Sequence, residues 1–138
     1  MNSKNFLKYH FPFILWLLII FVQSSLAAIE LPKIDIISTD KLIHMGVFGL
    51  LAGLCYISLI HIYKTNIFSA NPLIWAAIIT ILYGASDEIH QYFVPNRSSE
   101  VLDWMADAMG ALIAVLIIKY FLQKRYTLFK KRALVNEP

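Results

Sequence analysis

Ten polar residues in an otherwise apolar chain have types and spacings that could do chemistry: Asp40, Lys41, His44, Asp87, Glu88, His90, Gln91, Arg97, Asp103 and Asp107. Asp40 and His44 stand four apart, so on a helix the carboxylate can orient the imidazole. Asp103 and Asp107 repeat that spacing and set two carboxylates on one face. Glu88 and Gln91 are three apart, and Lys41 and Arg97 supply positive charge nearby. Carboxylates with a histidine suit a divalent cation such as Mg²⁺, Mn²⁺ or Zn²⁺, although no ligand motif of the H-E-x-x-H kind is present. Lys41 and Arg97 suit a lipid or polyprenyl phosphate, with His44 or a carboxylate as base. An ion-pair network that only fixes helices uses the same residue types. Asp40, Lys41, Glu100 and His90 taken singly read as helix-end charges that reach water. Asp87, Glu88, Asp103 and Asp107 resist that reading, because acids on adjacent helices repel unless a cation or base sits among them.

The elements that must carry these residues are membrane spans. The 138 residues are 59% hydrophobic and 15% charged, with a mean hydropathy of +0.64, against about a quarter charged in soluble domains. Stretches apolar and long enough to cross a bilayer run over about 11–28, 42–63, 72–94 and 101–122, followed by a basic tail over 123–138. The fold class expected is all-α, a membrane-embedded four-helix bundle forming a single domain. The first span has a rival reading as a cleavable signal peptide, with Lys4 and Lys8 before the apolar run and Ser25-Leu26-Ala27 at its end. With the N-terminus in the cytoplasm, nine basic residues lie inside (Lys4, Lys8, Lys64, Lys119, Lys124, Arg125, Lys130, Lys131, Arg132) and three outside (Lys33, Lys41, Arg97). That asymmetry places both termini in the cytoplasm. Every acid except Glu137 then falls on the outer side or in an outer helix half, so the polar stretches share one depth. A polar track through the inner halves is missing, which ranks coupled transport last. Cys55 is the only cysteine, so there is no disulfide framework, and no basic stripe with exposed aromatics suggests nucleic acid.

Local signals set helix limits. Thr39 is the expected N-cap of the second span, with Asp40 in its first turn. Asn71-Pro72 starts the third, Pro95-Asn96 ends it, and Ser98 or Ser99 caps the fourth. The connection between the third and fourth spans is so short that these helices must be antiparallel neighbours. Ala106, Gly110 and Ala114 form a small-residue ridge on the fourth span, on the side that carries Asp103 and Asp107. Gly46, Gly49 and Gly53 form a small face of the second span, roughly opposite Asp40 and His44, which predicts a central helix packed on two sides. The tail from Lys124 to Arg132 is expected to meet the anionic inner leaflet.

Three ordered motifs carry a family resemblance. They are Asp40-Lys41-Leu42-Ile43-His44, then Asp87-Glu88-Ile89-His90-Gln91-Tyr92-Phe93-Val94-Pro95-Asn96-Arg97, then Asp103-Trp104-Met105-Ala106-Asp107-Ala108-Met109-Gly110. In their order and spacing they resemble the VanZ-like family, whose pattern is D-K-x-x-H, D-E-x-x-Q-x-F-x-P-x-R and D-x-x-x-[ND]-x-x-G on a small multi-spanning membrane protein. Asp107 stands where relatives often have Asn. The resemblance implies a bacterial inner-membrane protein of the cell envelope, in a family named for a link to teicoplanin (glycopeptide) resistance, and it brings no settled reaction. The positions matching the motifs are Asp40, Lys41, His44, Asp87, Glu88, Gln91, Arg97, Asp103 and Asp107, with Gly110 as a packing residue. The expectation is an outer-facing polar pocket built by these residues that binds an envelope lipid, a cell-wall precursor or a glycopeptide-like ligand. A membrane enzyme acting on a phosphorylated lipid, with or without a divalent metal, and a purely structural bundle stay open beside it.

Overall fold

The computed structural model describes residues 3–26, 37–62 and 70–135. Among them the chain forms helices and no strand. A short α1 (Ser3–Tyr9) leads into α2 (Phe11–Ser25). Three long helices follow: α3 (Ile37–Ile60), α4 (Pro72–Tyr92) and α5 (Val101–Val135). The long three are each apolar and long enough to cross a membrane, while α1 and α2 pass that test only as a pair bent by 47°. The reason is length. At about 1.5 Å per residue α2 alone spans roughly 22 Å, short of the ~30 Å hydrocarbon layer. The pair forms either one broken span or a re-entrant segment, which gives three to four crossings in place of the four expected. Its bend lies beside His10, which is buried and shares a 2.7 Å hydrogen bond with Ser58 on α3.

The limits expected from sequence shift at several points. The helix of the second span begins at Ile37, ahead of the expected cap Thr39. Asn71 does sit at the N-cap of α4 with proline following, but its side chain makes no capping bond. The third span's helix stops at Tyr92, and Asn96 adopts a left-handed φ of 61°, a conformation asparagine tolerates better than most residues. That turn sends the chain back toward α5. The fourth helix does not end near 122 but continues unbroken to Val135. The loop containing Pro32 and Lys33, the expected span ends at Ala28 and Tyr63, and Lys64 lie outside the described residues.

Packing is densest along α3. Phe48, Leu51 and Ile20 form one buried cluster with Trp16, Leu17 and Tyr83 against it. Cys55, Leu59 and Ala76 form a second, nearer the other end. Between α3 and α5 the backbones nearly touch. A methyl on Gly49 would lie 3.2 Å from the Gly110 carbonyl oxygen, and one on Gly110 would run into the backbone of Met45. The small ridge of α5 thus packs closely, as its spacing predicts. The glycine face of α3 does so only in part, since Gly46 and Gly53 have nothing within 4 Å of an added methyl. Nor do the glycines and His44 serve opposite partners. His44 and Gly49 both meet α5.

Aromatic donors lace the helices together. Trp16 donates to the Val47 carbonyl at 3.1 Å, Tyr83 to Leu17 at 2.7 Å, and Trp104 to Ile81 at 3.1 Å. Each polar tip thereby finds a partner where water is scarce. The outer surface is apolar, with Leu18, Leu42, Leu82, Ile89 and Leu116 all more than half exposed. A surface of that kind faces lipid.

Candidate functional site

The helices alternate in direction, so the C-terminal ends of α2 and α4 and the N-terminal ends of α3 and α5 meet at one end of the bundle. All nine motif residues lie there, and they divide into a seam and a cleft. In the seam between α3 and α5, Lys41 reaches Asp40 at 3.2 Å, Glu100 at 3.0 Å and also Asp103. One ammonium thus balances three acids, of which Asp103 is buried and the other two exposed. One turn deeper, His44 Nδ1 lies 2.9 Å from Asp107 Oδ1, and Asp107 is fully buried. The expected pairing of His44 with Asp40 is replaced. A helix places residues 40 and 44 on one face, but the neighbouring helix offers His44 a carboxylate in a drier place.

Glu88 joins this layer from α4. Its Oε2 accepts the backbone N–H of Glu100 at 2.9 Å, so a side chain of one helix satisfies an orphan donor at the start of the next. Glu88 Oε1 and Asp107 Oδ2 are both buried and have no hydrogen-bond partner among the described residues. Gly84 makes room for this layer. A methyl there would stand 3.0 Å from Asp107 Oδ2 and 3.3 Å from Phe48.

The cleft opens between α2, α3 and α4. Gln23, Asp40, His44, Asp87, Gln91 and Arg97 line it above an apolar floor that includes Phe48, and its volume is about 160 Å³. Asp87 is buried and accepts the Gln91 amide at 2.8 Å, an i,i+4 pair within α4. Arg97 pairs with no acid among the described residues. Its Nε donates to the Leu26 carbonyl at 3.0 Å and its Nη2 to the Gln23 carbonyl at 2.6 Å, closing the C-terminus of α2, where unpaired carbonyls attract a cation. Asp40 and His44 are shared by cleft and seam.

The sequence reading missed two contributors. Glu100 belongs to the seam through both its carboxylate and its amide, and its position one turn before Asp103 was the available signal. Gln23 enters the cleft wall from α2, where, with Ser24 and Ser25 after it, it reads only as the polar end of the first span. His90 stays apart from the acids. It shares a 2.9 Å bond with Ser25 and packs on Phe21, tying α4 to α2.

The acids outnumber the fixed cations here. Among the described residues, Asp40, Asp87, Glu88, Glu100, Asp103 and Asp107 share this end of the bundle with Lys41 and Arg97 as its only lysine and arginine. An arrangement of that sign can hold a cation or an ammonium group, and it takes an anion only beside Arg97 or through a bridging ion.

Searches of curated proteins and of solved structures return no match. The family model for VanZ/LLP1 matches residues 4–123. That interval contains all three motifs, α2, α3, α4 and the part of α5 up to residue 123, so this chain is a membrane protein of the VanZ/LLP1 family.

Proposed function

We propose that the chain is a binding protein for a membrane-lipid headgroup that carries an ammonium group beside a phosphate, taken from the outer leaflet of a bacterial cytoplasmic membrane. The observation that carries this reading is the cleft, where Asp40 and Asp87 share the walls with Arg97 in about 160 Å³. Carboxylates suit the ammonium. The guanidinium, with two of its N–H groups already on the carbonyls of α2, keeps others for the phosphate. Size narrows the choice. Pockets that enclose a drug-sized ligand measure about 300–1,000 Å³, so the cleft favours a headgroup, or the corresponding part of a lipid-linked cell-wall precursor, over a whole glycopeptide. The apolar exterior beside it would leave acyl chains in the bilayer.

Asp87→Asn tests this. In nanodiscs of mixed phosphatidylethanolamine and phosphatidylglycerol, the wild type is expected to retain the ethanolamine lipid preferentially on native mass spectrometry. The variant keeps the shape of the cleft and is expected to lose about tenfold in that preference, the effect of one charge-assisted bond. Equal retention of the two lipids by the wild type would sink the proposal. A hydrolytic reading rests on His44, which lines the cleft with Asp107 behind it in the orienting position of a base. Loss of headgroup from the retained lipid in the same spectra would favour it.

A further inference from the structure

We infer that His44, Glu88 and Asp107 form a site for one divalent first-row transition-metal ion, buried beneath the cleft between α3, α4 and α5. One donor atom from each of the three lies within 4.8 Å of the others. Two of the carboxylate oxygens in this layer, Glu88 Oε1 and Asp107 Oδ2, are buried without a partner among the described residues, and their side chains are 7% and 0% exposed. A carboxylate oxygen withdrawn from water and left unpaired costs free energy that a bound cation would remove. No described lysine or arginine supplies that charge. Lys41 is committed to Asp40, Glu100 and Asp103, and Arg97 to the carbonyls of α2.

The same reasoning selects among candidate sites. Asp40, His44 and Asp103 also bring donor atoms together, but both acids of that set already share the Lys41 ammonium. Two carboxylates with an imidazole favour Zn²⁺, Mn²⁺ or Fe²⁺ over Ca²⁺, which takes six to eight oxygens. Binding needs the donors to draw in until each stands about 2.0–2.2 Å from the ion. The imidazole of His44 can meet the ion through one nitrogen and keep its proton on the other, so its 2.9 Å contact with Asp107 is adjusted and no charge is lost. Gly84 keeps a side chain off Asp107 Oδ2, and His44 connects the layer to the cleft as a route of entry.

The test uses the full chain in detergent, stripped with EDTA and given Zn²⁺ alone, with Glu88→Gln, His44→Gln and Glu100→Gln beside it. The wild type is expected to bind about one ion per chain and to show an imidazole shell in X-ray absorption. Glu88→Gln and His44→Gln are expected to bind at least about 100-fold more weakly, while Glu100→Gln, which removes a neighbouring charge but no ligand, binds as the wild type does. A wild type that takes up no Zn²⁺, a bound ion lacking imidazole, or equal weakening by Glu100→Gln would each overturn the site. The absorption measurement needs only wild-type protein, so it decides even where a variant fails to fold. The site does not depend on the headgroup reading, which Asp87→Asn tests by itself.

Discussion

Lys41 is one-fifth exposed, yet it reaches one buried and two exposed carboxylates. The exposed contacts, to Asp40 and Glu100, are worth little, since such pairs contribute about 0–1 kcal/mol. The contact with buried Asp103 is different, because removing the ammonium strands a charge away from water. Lys41→Met is therefore expected to cost about 2 kcal/mol, between the surface and fully buried cases. Lys41→Met combined with Asp103→Asn removes both charges and should recover most of the loss, giving a clear coupling energy in a double-mutant cycle. Asp40→Asn should change the melt hardly at all. Thermal melts of the wild type, Lys41→Met, Asp103→Asn, their combination and Asp40→Asn check this, and additive losses in the double variant would show that the seam is not held by this pair.

At the level of elements, the close crossing of α3 and α5 depends on glycine at one position and tolerates a methyl group at another. Gly110→Ala would push a methyl into the Met45 backbone, whereas the same change at Gly53 meets nothing within 4 Å. The first should destabilise by about 1–3 kcal/mol through overpacking, and the second should be neutral or gain a few tenths from helix propensity. Melting curves that ranked the two alike would count against the crossing. The pair also shows what a sequence can and cannot convey. The ridge of Ala106, Gly110 and Ala114 was legible because a helix puts residues four apart on one side. The three glycines of α3 have an equally regular spacing, but spacing within one helix does not say which neighbour approaches it, and only Gly49 is used. The same limit explains His44. Its partner by periodicity was Asp40, and its partner in the fold is Asp107, sixty-three residues away. The common depth of the polar residues was legible from charge alone. The division into seam and cleft was not, because it depends on which helices flank which.

For the whole molecule, the arrangement of charge makes a statement about sidedness. The polar end holds Lys41 and Arg97 as its described cations, while Lys4, Lys8, Lys119, Lys124, Arg125 and Lys130 lie on the parts of α1 and α5 away from it. α5 is 35 residues long, or about 52 Å, roughly 20 Å more than the hydrocarbon layer needs. Its basic C-terminal turns must then stand beyond the apolar region on the side opposite the cleft. The positive-inside bias predicts that this side is the cytoplasm and that the cleft lies at the outer leaflet. Cys55 is fully buried, so the native thiol gives a silent background for labelling. Ser98→Cys, an exposed and nearly isosteric change beside the cleft, should react with an impermeant maleimide on intact spheroplasts. Thr127→Cys, on exposed α5, should react only after permeabilisation. The opposite pattern would turn the molecule over and bring the cleft to the cytoplasmic leaflet. The headgroup would then come from that leaflet, and a role acting on envelope material outside the cell would fall with it.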